Sequence, residues 1–133
     1  MMTAGEYYVG DLCYVMSDEE WEEVCRLTIV EGKCISGEFT MADGRRFAMY
    51  NTRWGDGIYQ DKSYKKYSVD SGTIGCIKVE DITADKYGEG LDELGSVYEF
   101  ANDFVTSRDE GRLLQFGRIL IDTDPQDEEE IEY

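Results

Sequence analysis

Six cations and six aromatic rings crowd into residues 45 to 67: Arg45, Arg46, Arg53, Lys62, Lys65 and Lys66, with Phe47, Tyr50, Trp54, Tyr59, Tyr64 and Tyr67. Only Asp56 and Asp61 oppose them, so the window carries +4 within a chain of net charge −17. These residue types suit a small, planar, anionic ligand. Arg45, Arg46 and Arg53 supply forked donors for phosphate, Lys65 and Lys66 add point charges, and Trp54 and Tyr64 offer stacking faces. The run Trp54-Gly55-Asp56-Gly57 would let backbone N–H groups approach an anion. The competing reading is structural: the bases neutralise neighbouring acids across strands, and the tyrosines fill a sheet. The chain has neither a Walker loop nor a dinucleotide fingerprint.

Other chemistries find less. The chain has no histidine, so a Ser-His-Asp triad cannot form and a cysteine nucleophile lacks its usual base. Cys13, Cys25, Cys34 and Cys76 stand 12, 9 and 42 residues apart and form no CxxC knuckle. They read as reduced thiols of a cytoplasmic protein rather than as a zinc site. Asp11, Asp56, Asp61 and Asp70 sit at expected turns, where aspartate is ordinary, and lack EF-hand spacing. Asp70-Ser71-Gly72-Thr73 resembles the Asp-Ser/Thr-Gly triplet of aspartic proteases, and Phe116-Gly117-Arg118 resembles the hydrophobic-Gly-Arg segment of the retroviral type. That resemblance implies a homodimer whose two Asp70 carboxyls share a proton. Ser68 stands where that family has an apolar residue, and a flap is missing; a turn between strands accounts for the triplet. No catalytic residue, cofactor or metal is assigned, and enzymatic function is disfavoured.

A different use of charge lies in Asp18, Glu19, Glu22 and Glu23 and in the stretch from Asp122 onward, which holds seven acids in twelve residues. Such a surface would imitate nucleic-acid phosphates and plug a basic groove on a protein target. Solvation explains the same acids. Net charge of −17 argues against direct binding of nucleic acid or an anionic membrane. No apolar run approaches 18 residues, and the first residues do not read as a secretion signal.

The elements that must position these residues follow from periodicity. Glu6 to Met16 reads as a strand, a break and a second apolar run. Ser17 and Glu20 have capping-box spacing, and Trp21, Val24, Cys25 and Thr28 then share one helix face, with Gly32 as the stop. Phe39, Met41, Phe47 and Met49 fall on one buried face if Asp43-Gly44-Arg45 is a three-residue hairpin loop. Ile58 to Gln60 and Tyr64 to Val69 form a second hairpin about Asp61-Lys62-Ser63. Thr73 to Val79 is a further strand, and Glu80 to Gly95 is loop with a short helix near Ile82 to Tyr87. Val97 to Phe104 and Leu113 to Ile121 are strands joined through Thr106 to Gly111. The sum is an α+β, mostly β domain over residues 1–121: seven or eight antiparallel strands in hairpins, packed with one N-terminal amphipathic helix, and a disordered acidic tail over 122–133.

Two blocks carry a resemblance. Tyr7-Tyr8-Val9-Gly10-Asp11-Leu12-Cys13-Tyr14-Val15 is followed by the helix bearing Trp21. Gly55-Asp56-Gly57-Ile58-Tyr59 is followed by Tyr67-Ser68-Val69-Asp70-Ser71-Gly72-Thr73-Ile74-Gly75. Together they resemble a family of small uncharacterised proteins of phages, large DNA viruses and bacteria. The resemblance implies a compact viral-type protein of the host cytoplasm, a setting in which counter-defence inhibitors are common. The expectation is therefore a non-enzymatic protein that sequesters a nucleotide-like anion through Arg45, Arg46, Arg53, Trp54, Gly55, Asp56, Tyr64, Lys65 and Lys66. Homo-oligomerisation is one way to complete a pocket that a small sheet lacks. The acidic nucleic-acid mimic stands second and the aspartic protease third.

Overall fold

The computed structural model of the chain describes residues 1–53, 55–63, 65–82, 95–109 and 113–123. Its first sheet contains β1 (Gly5–Gly10), β4 (Gly37–Thr40), β5 (Arg46–Asn51), β8 (Thr73–Lys78) and β9 (Ser96–Phe100), in the order β4-β5-β8-β1-β9. The second contains β6 (Gly57–Asp61), β7 (Lys66–Val69), β10 (Thr106–Asp109), β11 (Leu113–Phe116) and β12 (Ile119–Asp122), in the order β10-β11-β12-β6-β7. Every pairing is antiparallel. A two-residue ladder, β2 (Ile29–Val30) with β3 (Lys33–Cys34), stands apart.

The sheets stack, and helix α1 (Asp18–Thr28) with a 3-10 turn over Leu12–Val15 covers the far side of the first. Period-two alternation decides which side chain enters which layer. Tyr7, Val9, Ala48, Tyr50, Ile74 and Cys76 point between the sheets, where Tyr59, Tyr67, Leu114, Phe116 and Ile121 meet them. Tyr8, Phe47, Met49 and Ile77 point the other way and meet Leu12, Val15, Met16 and Val24. The central strands of the first sheet are therefore buried on both faces, whereas the second sheet keeps one face in water.

Helix α1 begins as its sequence dictates. Ser17 Oγ accepts from the Glu20 N–H at 3.2 Å, and the Ser17 N–H donates to Glu20 Oε1 at 2.8 Å. Ser17→Ala removes half of this box and should cost about 1 kcal/mol, a fall of about 3–5 °C in melting temperature. A scan of thermal unfolding checks it. The helix ends at Thr28, before Gly32, because Ile29 and Val30 continue as a strand. Gly32, at φ +78° beside Glu31 at +54°, makes the tight turn of the β2–β3 ladder instead.

Several expectations need correction. The two sheets hold ten strands among the described residues, not seven or eight. Thr106–Asp109 is a strand rather than a connector, and Leu113–Ile121 is split by a turn at Gly117-Arg118. The first hairpin pairs Phe39 with Phe47, and Met41 N–H bonds Arg45 O, so its loop is Ala42-Asp43-Gly44, one residue early. Both registers keep the same residues on the buried face. Thr123 is buried, two residues past the expected end of the domain. Most of the helix expected near Ile82 to Tyr87, and the tail after residue 123, lie outside the described residues. Among the described residues, no helix is long and apolar enough to cross a membrane.

Candidate ligand-binding cleft

The basic window does not gather in one place. Arg45, beside the first hairpin, bonds Asp43 Oδ2 at 2.8 Å, the Glu20 carboxylate, and the Asp81 carbonyl at 3.2 Å. The bonds to Asp43 and Glu20 raise its pKa, so this guanidinium is committed to carboxylates. Arg46, on β5, donates to Met1 O at 2.8 Å and to Glu38 at 3.3 Å. Burial lifts the Glu38 carboxyl, but hydrogen bonds from the Met1 ammonium and Thr106, with the Arg46 charge, hold it below the usual range. The Arg53 N–H donates to Thr123 Oγ1. Gly55 and Asp56 lie against the turn at Gly72, and Gly55 O accepts from Thr52 Oγ1 at 2.7 Å and Tyr59 OH at 2.9 Å. Lys66 is exposed on the outer face of β7. Trp54 and Tyr64, the expected stacking rings, lie outside the described residues. The structural reading of the bases therefore holds for Arg45 and Arg46, and the expected shared concavity is not built from this set.

Lys65 belongs to a different assembly. It lines a cleft of about 400 Å³ together with Lys62, Ser63, Ser96, Tyr98 and Arg118, between the β6–β7 turn, the start of β9 and the β11–β12 turn. Asp61 builds the first wall. Its Oδ1 accepts from the Ser63 N–H at 2.8 Å and the Lys65 N–H at 3.0 Å, while Oδ2 accepts from Tyr67 OH at 2.8 Å. The Tyr67 hydroxyl also lies 2.8 Å from Ser96 Oγ, which ties this turn to β9. Burial, with Asp61 alongside, pushes the Tyr67 phenol pKa up, so it stays protonated and able to donate. Asp61 thus spends its oxygens on the turn itself.

The opposite wall is Gly117-Arg118. Gly117 takes φ +60° as the first central residue of a two-residue hairpin turn, which glycine alone adopts easily. A Cβ there would fall 2.6 Å from Phe100, so packing also demands glycine. The turn projects Arg118, whose guanidinium sits 5.1 Å from the centre of the Tyr98 ring. Among the described residues, neither Lys62 nor Arg118 forms an ion pair. Lys62, Lys65 and Arg118 against Asp61 give the cleft a positive balance in a chain of −17. Sequence reasoning missed Lys62 as a ligand candidate and read Arg118 only as part of the protease-like Phe116-Gly117-Arg118 segment. The one local signal for Arg118 was a Gly-Arg pair inside an alternating apolar run.

The Asp-Ser-Gly triplet is a turn held by a buried acid. Asp11 accepts from the Asp70 N–H at 2.7 Å, the Ser71 N–H at 2.8 Å, Ser71 Oγ at 2.8 Å and the Cys13 N–H at 3.0 Å. Asp70 is exposed and accepts from Tyr14 OH at 2.6 Å; burial and then this carboxylate raise the Tyr14 phenol pKa. A smaller cleft of about 210 Å³ lies beside Arg46, Lys78 and Asp81. Cys13 and Cys25 are half-buried thiols and Cys76 a buried one. Among the described residues, no group of three His, Cys, Asp or Glu side chains is placed to hold a metal ion. Comparisons of the chain with protein-family models, with curated proteins and with solved structures return no match.

Proposed function

We propose that the protein is a non-enzymatic binder of a small anionic, nucleotide-like ligand, and that the 400 Å³ cleft is its site. The observation that carries this reading is the convergence of Lys62, Lys65 and Arg118 on one concavity of a strongly acidic protein. A cleft of this volume lies within the range of small-molecule sites. Lys62 and Lys65 meet phosphate oxygens from one wall, and Arg118 meets them from the other with a planar fork. Tyr98 gives a ring face that a base can share with the guanidinium. The Ser63 and Ser96 hydroxyls add hydrogen bonds of either polarity. The surrounding negative charge repels anions elsewhere, so the cleft is a local trap rather than part of a general basic surface. The resemblance of the sequence blocks to small phage and viral proteins extends the reading to sequestration of a host signalling nucleotide.

Isothermal titration with linear and cyclic nucleotides, and with inorganic phosphate and pyrophosphate, tests this. Lys62→Ala, Lys65→Ala and Arg118→Ala should each weaken binding about tenfold or more. Arg45→Ala should leave affinity unchanged. Binding to none of these anions would sink the proposal, as would Arg45→Ala weakening binding as much as Arg118→Ala. A second reading rests on α1, where Asp18, Glu19 and Glu22 are exposed on a capped helix. A nucleic-acid mimic would lose its target on Asp18→Lys/Glu22→Lys and would ignore Arg118→Ala.

A further inference from the structure

Three adjacent strands of the second sheet, β12, β6 and β7, present a charge-balanced outer face in a chain of net charge −17. Alternation places Tyr59, Tyr67, Val69 and Ile121 inward, which leaves Ile58, Gln60, Lys66, Ser68, Leu120 and Asp122 facing out across β6, β7 and β12. Those six positions sum to zero charge in a chain of −17. Ile58 is 67% exposed, the most exposed large apolar side chain among the described residues. Registers Gln60↔Lys66 and Asp122↔Gln60 put Lys66, Gln60 and Asp122 in one row across three adjacent strands, a cation, a neutral group and an anion in that order.

We propose that this face docks a second copy of the chain about a twofold axis running along β6. Such an axis preserves position along the strand and exchanges its two sides. Ile58 then meets Ile58 and Gln60 meets Gln60 on the axis. Lys66 of each copy lies over Asp122 of the other, so the row is its own electrostatic complement. Neutrality is what selects this surface, because any acidic patch of the molecule repels a second copy. The overlap spans three strands about 4.8 Å apart, which is at the small end of specific interfaces, and the dimer is weak, in the micromolar range or above. The proposal does not depend on the ligand reading.

Sedimentation velocity of the full chain, from about 5 to 500 µM near physiological salt, tests the proposal. The wild type should move with concentration toward a species of twice 15.3 kDa. Ile58→Asp, Lys66→Asp and Asp122→Lys should each weaken association about tenfold or more. The decisive sample is an equimolar mixture of Lys66→Asp and Asp122→Lys, because both cross-axis pairs become opposite in charge only in the mixed dimer. That mixture should associate within about threefold of wild type, although each variant alone does not. Melting temperatures near wild type would show that the variants are folded. Monomeric wild type at the highest concentration overturns the proposal. So does Ile58→Asp dimerising as well as wild type, or a mixture no better than its components.

Discussion

Asp11→Ala should remove a large part of the protein's stability, about 3–5 kcal/mol of a total that is typically 5–15. Asp11 is fully buried and its carboxylate accepts four hydrogen bonds, three of them from backbone N–H groups of Cys13, Asp70 and Ser71. Alanine leaves those donors facing a cavity, and a buried donor left without a partner costs about 1–3 kcal/mol. The melting temperature should fall by roughly 10–20 °C. Asp11→Asn should recover only part of the loss, because its NH2 group would point a donor at donors. Ser71→Ala removes one hydroxyl bond and should cost about 1 kcal/mol. Thermal unfolding of the three variants, with ligand binding measured on those that stay folded, separates the cases. An Asp11→Ala protein melting within about 3 °C of wild type would show that water replaces the carboxylate without cost.

That carboxylate also explains which parts of the fold were legible in the sequence. The helix was legible because its start is local: Ser17 and Glu20 are three residues apart and bond each other. Face assignment in the first hairpin was legible because side-chain alternation survives a register error of an even step. The position of the turn was not, since Met41 pairs with Arg45 through backbone groups that carry no residue signature. The turn at Gly117-Arg118 was overlooked because Leu113 to Ile121 alternates almost without interruption, and a two-residue turn is short enough to hide in it. The dispersal of the basic window was hidden for a related reason. Clustering in sequence is not clustering in space here: β5 in the first sheet carries Arg46 to one cleft, the β6–β7 turn of the second sheet carries Lys62 and Lys65 to another, and Lys66 on β7 faces outward. Arg45 and Arg46 found acids at Glu20, Asp43 and Glu38, while Arg118 reached the cleft from a distant part of the chain. The blocks around Asp11, Gly55 and Asp70 proved architectural. Asp11 bonds the turn at Ser71, and Gly72 O accepts from the Thr52 N–H beside Gly55. Those partners stand about sixty residues apart in one case and twenty in the other, beyond what spacing alone reveals.

Gly75→Ala should be as damaging as loss of Asp11, by a different mechanism. Gly75 lies in β8 at the centre of the first sheet, opposite Met49 on β5 and Gly10 on β1. Its backbone φ is not in the left-handed region, so alanine suffers no torsional strain there. The obstacle is space. A Cβ would fall 2.2 Å from the Ala48 carbonyl oxygen and about 3 Å from the Leu12 side chain. Leu12 can shift, but a backbone oxygen within a paired strand cannot move without opening the β5–β8 ladder. Overpacking of a core typically costs about 1–3 kcal/mol, and a clash with backbone between two buried faces belongs at or above the top of that range. Gly32→Ala provides the contrast. Gly32 has φ +78° and open space around its missing Cβ, so alanine there pays only the left-handed penalty of about 1–2 kcal/mol. Chemical denaturation of both variants should therefore rank Gly75→Ala well below Gly32→Ala in midpoint. Pairing Gly75→Ala with Leu12→Ala should lower stability further rather than restore it, because the second change empties a buried site while the contact with Ala48 remains. Recovery in that double variant would mean that the Leu12 side chain, not the β5–β8 backbone, sets the requirement for glycine.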